Sequence, residues 1–207
     1  VANVPLGVLN LGTQWDEERK CFDISVKNNL GGASSLNARG LLFPETGHLI
    51  ANAAMNRLNV SYAQPFLKDI FSEMGGTISG TISVNGPLEK LTIRSEDTRF
   101  DDVMRKIGFT NVPYYANGPF HINEKGVWFD GVTVTDRFNG KGTVTGNISY
   151  DYFNNITFDT RLKVEQIEAV NLDEKTSDVF YGNLFATGNV AITGPINSLK
   201  LNVDAVT

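Results

Sequence analysis

Cysteine is almost missing: Cys21 stands alone in 207 residues, so no internal disulfide can form and too little thiol is left for a cysteine-based metal site. A small, half-buried side chain in the strand around Phe22 and Ile24 accounts for it better than a reactive thiol. Histidine is nearly as scarce. His48 and His121 lie far apart and neither belongs to an HExxH pattern, so strand or loop positions without a metal are expected for both. No run of Lys or Arg occurs and the formal net charge is -5, which gives no positive footprint for a nucleic acid backbone. The chain has no apolar stretch long enough to cross a bilayer as a helix, no signal peptide and no initiator Met before Val1. It is therefore expected to be an excised segment of a larger protein, with any targeting or anchoring sequence outside it.

Catalytic patterns are lacking too. There is no G-x-S-x-G elbow, and Gly140-Lys141-Gly142-Thr143 sits in a hairpin without the spacing of a phosphate-binding loop. Acidic pairs such as Asp16-Glu17-Glu18 and Asp101-Asp102 could supply carboxylates for glycosidase chemistry, and solvated loop charges explain them more simply. The expectation is a chain that is not an enzyme, with no cofactor and no metal.

What the sequence does have is alternation. Ile78, Ile82 and Val84 share one parity with Thr77, Ser79, Thr81 and Ser83 between them, the pattern of a strand with one apolar and one hydroxyl-bearing face. It recurs at Phe22–Val26, Val144–Tyr150, Ile156–Val164 and Leu199–Val203, giving about a dozen short strands of antiparallel type. Asn85-Gly86-Pro87, Asn117-Gly118-Pro119, Asn139-Gly140 and Thr193-Gly194-Pro195 are each predicted to end one strand and start another. The parity slips at Gly131, which predicts a bulge or tight turn and sets Trp128 on the face opposite Val127 and Phe129. One amphipathic helix is predicted over 63–74, with Phe66, Ile70 and Met74 on one face, Pro65 in its first turn and Gly75-Gly76 after its end. Shorter helical turns are predicted near Asp101–Lys106 and Gln166–Asn171.

The chain also repeats itself. Gly80–Pro87, GTISVNGP, aligns without a gap on Gly188–Pro195, GNVAITGP, and Leu91 and Ile93 fall on Leu199 and Leu201. A partial third copy, GKGTVTGNISY from Gly140, overlays GNLFATGNVAI from Gly182. Repetition of a strand-turn-strand unit implies an elongated stack whose neighbouring units bury each other's faces. The run QPFLKDIFSEMGGTISGTISVNGPLEKLTI, from Gln64 to Ile93, resembles the C-terminal region of the TamB/AsmA-like envelope family. DRFNGKGTVTGNISYDYFNNITFDTRL, from Asp136, and FYGNLFATGNVAITGP, from Phe180, are similar to the repeats that follow it there.

The resemblance implies an inner-membrane-anchored periplasmic protein of Gram-negative bacteria that serves outer-membrane biogenesis. It also implies a curled β-sheet trough, a β-taco, a partner barrel of the TamA/BamA type, and phospholipid movement or outer-membrane protein assembly. The expected fold is thus all-β: one elongated domain over 1–207, a curved, mostly antiparallel, repeat-built sheet forming an open apolar trough, with helix 63–74 between repeat units. Its concave face is expected to carry the apolar parity along one gutter. Ile78, Ile82, Val84, Val144, Ile148, Phe158, Leu162, Val190 and Ile192 are the candidates to line it and to shelter the acyl chains of phospholipid. The same residues also suit a closed core. The alternative function is a carbohydrate-binding or adhesin-type β module, stacking sugars on Trp128, Tyr150, Tyr152 and Tyr181.

Overall fold

The computed structural model describes residues 8–29, 34–63, 73–95, 97–107, 111–151, 154–172 and 182–207. They form thirteen strands: β1 (Val8–Asp16), β2 (Cys21–Asn29), β3 (Ser35–Phe43), β4 (His48–Asn59), β5 (Glu73–Pro87), β6 (Thr92–Ser95), β7 (Thr98–Ile107), β8 (Val112–Asn123), β9 (Gly126–Thr135), β10 (Lys141–Asp151), β11 (Asn154–Leu172), β12 (Gly182–Pro195) and β13 (Lys200–Val206). All belong to one antiparallel sheet in which each strand lies beside the next in sequence, and β1 and β13 are its free edges. The sheet is open. β6 and β7 both pair with β5, β6 along Ile82–Asn85 and β7 along Glu73–Ser79, so they are two pieces of one interrupted strand. At the break the Asp97 carboxylate accepts the amide N–H of Thr81 at 2.8 Å, replacing the ladder partner that the interruption removes.

Because paired residues share a face, the register carries the apolar parity across the sheet. Leu11, Val26, Ala38, Ala53 and Ile82 lie side by side on β1 to β5. Farther along, Val132, Val144, Leu162, Val190 and Val203 do the same on β9 to β13. Thr, Ser, Asn and charged residues alternate with them and occupy the other face. Trp128 falls on that polar face, opposite Phe129, as the parity slip predicts, and the slip itself is a bulge at Gly131, whose φ of 81° is left-handed.

Bulges explain where the predicted elements differ from the observed ones. Asp101–Lys106 and Gln166–Asn171 are strand, not helix: β7 carries an extra residue between Phe100 and Val103, and β11 another between Val164 and Ile167. One inserted residue returns the same face after three positions instead of two, which reads as helical spacing in the sequence. At both sites a non-glycine residue takes positive φ, Asp102 at 49° and Gln166 at 47°, as does Arg57 at 48° in the bulge of β4. The amide N–H of each finds a side-chain oxygen on the adjoining strand, Asn117 Oδ1 for Asp102, Thr187 Oγ1 for Gln166 and Ser79 Oγ for Arg57. The predicted turn at Asn117-Gly118-Pro119 is not a turn either: it lies within β8, opposite the extra residue of β9. The other three turn motifs do end strands.

Of the predicted helix 63–74, residues 64–72 lie outside the described residues. Ala63 closes a single 3-10 turn, Val60–Ala63, while Glu73 and Met74 belong to β5, paired with Lys106 and Arg105. Among the described residues there is no α-helix.

The sequence repeat is a structural repeat. After Pro87 and after Pro195 the chain makes the same turn, with Lys90 N–H donating to Pro87 O at 2.7 Å and Ser198 N–H to Pro195 O at 2.8 Å. The first glycine of each copy, Gly80 and Gly188, and Gly146 of the third, all have positive φ and press on the next strand at Asp97–Thr98, Asp204–Ala205 and Asp159–Thr160 respectively. A Cβ at any of the three would meet backbone.

Candidate functional site

The apolar face has no second layer across it among the described residues. Its edges are bare: Leu11 and Trp15 on β1, Phe22 on β2, and Leu201 (55%) and Val203 (59%) on β13 are exposed. A continuous apolar surface of this breadth marks a binding face rather than a finished core. All nine predicted lining residues sit on it. Ile78, Ile82 and Val84 are on β5, Val144 and Ile148 on β10, Phe158 and Leu162 on β11, and Val190 and Ile192 on β12. Each is half-buried. They form two groups, with β7 to β9 between them.

That interval holds residues the alternation argument did not select. Phe100 of β7 stacks on Phe120 of β8, ring centroids 4.1 Å apart, and Phe129 of β9 lies 6.4 Å from Phe100. Phe100 pairs with Gly118 and Phe129 with Gly146, so each ring has a glycine beside it on the neighbouring strand. Phe129 and Gly118 were visible in the sequence as strand and turn signals, but only the register joins them.

At the other end of these strands the sheet curls inward. Val134, Val164 and Ile167 form a buried cluster with Tyr114, Ala116, Val144 and Leu162 around it. The Tyr114 hydroxyl donates to Glu168 O at 2.8 Å and Asn111 Nδ2 donates to Asn171 O at 2.9 Å. The two bonds run from β8 and the residue just before it to β11, past the β9–β10 hairpin. The gutter expected from the sequence is therefore sealed locally here, though not by an opposing layer.

A polar knot holds the tip of that hairpin. Asp136 accepts the amides of Phe138 (2.7 Å) and Gly140 (2.9 Å) through Oδ1 and that of Glu168 through Oδ2. The Glu168 carboxylate is fully buried and takes two bonds from the Arg137 guanidinium, at 2.6 and 3.0 Å, plus one from Asn183 Nδ2 at 3.2 Å. The bond from Glu168, and then its charge and that of Asp136, raise the Arg137 pKa against the opposing effect of desolvation. Every carboxylate here has a structural task.

The remaining candidates are likewise occupied. His48 Nε2 bonds Asn85 Oδ1 at 2.7 Å, and His121 stacks on Trp128. Asp16 Oδ1 caps its turn through the amides of Glu18 and Arg19, and Asp101 pairs with Arg99 at 2.9 Å. Of the four aromatics considered for sugar stacking, Tyr152 and Tyr181 lie outside the described residues, and the Tyr150 hydroxyl donates to Asn123 O at 3.1 Å. Cys21 is fully buried at the start of β2, deeper than expected. Among the described residues no three His, Cys, Asp or Glu side chains converge to hold a metal ion, and no helix is long and apolar enough to cross a membrane.

Residues 130–207, from the Gly131 bulge through β13, match the family model of the TamB C-terminal domain. Over those residues the chain is similar to that domain. The match covers the second and third copies of the repeat and the β11 side of the sealed end, and leaves β1 to β8 and the start of β9 beyond it. No curated protein matches the chain, and no solved structure does.

Proposed function

We propose that the apolar face shelters the acyl chains of phospholipid, within a periplasmic segment of a TamB-like protein anchored in the inner membrane and serving outer-membrane biogenesis. One observation carries this reading: the register places apolar side chains on the same face from β1 to β13, and that face is half-open at all nine lining residues and bare at both edges. Each methylene moved out of water contributes about 0.8 kcal/mol, so partial shelter of one chain gives binding that is useful and still reversible. Apolar contact has no direction. A chain can slide from strand to strand without breaking a specific bond, as a conduit between membranes requires. The segment acts by binding, not catalysis, and needs no cofactor. A barrel of the TamA/BamA type is the partner that the family suggests, and assistance to outer-membrane protein assembly is compatible with the same face.

Native mass spectrometry of gently purified protein tests the reading. Co-purifying phospholipid that is released by Val190→Glu is the expected result. Lipid-free protein that instead binds glycans on an array would overturn it in favour of the carbohydrate module.

A further inference from the structure

The two halves of β8 to β11 offer an acyl chain different surfaces. In one half, the bonds from Tyr114 and Asn111 to the backbone of β11 close over Val134, Val164 and Ile167, and Val112 beside them is fully buried. In the other half, Phe120 is buried and stacks on Phe100, while Phe100 and Phe129, with Ile148 and Phe158 next to them, remain half-buried. We propose that an acyl chain passing between the β5 and β12 ends of the face is confined to this aromatic half, with the Tyr114–Asn111 strap excluding it from the other. The proposal rests on the acyl-chain reading above and adds a path to it. The β8–β11 stretch is then a throat, narrower than the face on either side. Flat ring faces suit it, because they give a large contact area without a pocket that would fix the chain. Gly118 and Gly146 beside Phe100 and Phe129 leave the rings room to lie down on the sheet.

Methyl NMR on the Ile- and Val-labelled protein tests this, with phosphatidylcholine carrying a nitroxide at the end of one acyl chain, supplied from vesicles. In the wild type, broadening is expected at Ile82, Ile148 and Ile192 and several-fold less at Val134, Val164 and Ile167. Removing the strap with Tyr114→Phe and Asn111→Ala should raise Val164 and Ile167 to the level of Ile148. Equal broadening of Val164 and Ile148 in the wild type overturns the throat while leaving the acyl-chain reading intact. A folded double variant in which Val164 stays silent also overturns it, and if that variant does not fold the wild-type contrast decides alone. No broadening at Ile82 or Ile192 removes the acyl-chain reading itself, and the throat with it.

Discussion

Val190→Glu separates a lipid-bearing face from a closed core by magnitude. Val190 stands between Leu162 of β11 and Val203 of β13 and is half-buried. Full burial of a valine is worth about 2 kcal/mol, so removing this half-buried one should cost roughly 1 kcal/mol of stability, the new carboxylate reaching water from the open side. For a chain of this length that lowers Tm by about 2–4 °C. The effect on lipid is larger. A chain crossing strands about 4.8 Å apart lays about four methylenes over each one, and losing half their shelter at Val190 removes roughly 1.6 kcal/mol, or about 15-fold in affinity. Ala191→Glu, one residue away on the polar face, is the matched control and should leave lipid binding unchanged. The measurements are the lipid-bound fraction by native mass spectrometry and Tm by circular dichroism. A fall in Tm well beyond 10 °C, in a protein whose wild type carries no lipid, refutes the open face, and so does a well-folded Val190→Glu that binds lipid as tightly as wild type.

At the polar knot, Arg137→Ala should lower Tm more than Glu168→Ala, because it strands an enclosed carboxylate whereas the half-exposed guanidinium can turn to water; the opposite order in thermal melts contradicts the reading. Gly146→Ala should cost at least about 2 kcal/mol in urea unfolding, since its Cβ meets the backbone of Asp159. Gly131→Ala, with positive φ but open space around it, should cost only about 1 kcal/mol, and equal costs would show that close approach is not what requires the repeat glycine. Burial, and then the charge of Glu124, raise the Tyr150 pKa above the ordinary 10.0. The folded state therefore holds that proton more tightly than the unfolded one, so the contribution is intact below pH 10.0 and is lost as pH rises through the raised value. Tyr150→Phe should flatten the alkaline limb of stability, and an unchanged limb assigns it to other groups.

Alternation and repetition were legible because each is local: Ile82 and Val84 declare their face within three residues, and Gly80–Pro87 and Gly188–Pro195 declare the repeat within eight. The bulges were not, and for a physical reason. Inserting Gln166 between Val164 and Ile167 leaves no glycine or proline as a marker, because the left-handed backbone is held by Thr187 on a strand some twenty residues farther on. Such a strand imitates a helix, as Gln166–Asn171 did. The Tyr114 strap is harder still to read, joining residues 54 apart across a hairpin that only the fold makes short.

These unread features also make the face a trough instead of a flat sheet. A regular strand returns every second side chain to one side and leaves the sheet free to twist evenly, whereas an extra residue in β7, in β9 and in β11 bends each strand where it is inserted. The bend brings the end of β11 within reach of Tyr114, and the hydrogen bond then fixes it. Curvature therefore comes from positions whose side chains are polar or absent, Asp102, Gly131 and Gln166, while the apolar residues beside them, Val103, Val132 and Val164, turn inward and are buried. On the acyl-chain reading proposed above, bending the strands at polar positions curves the face without placing further apolar side chains across the nine half-buried lining residues.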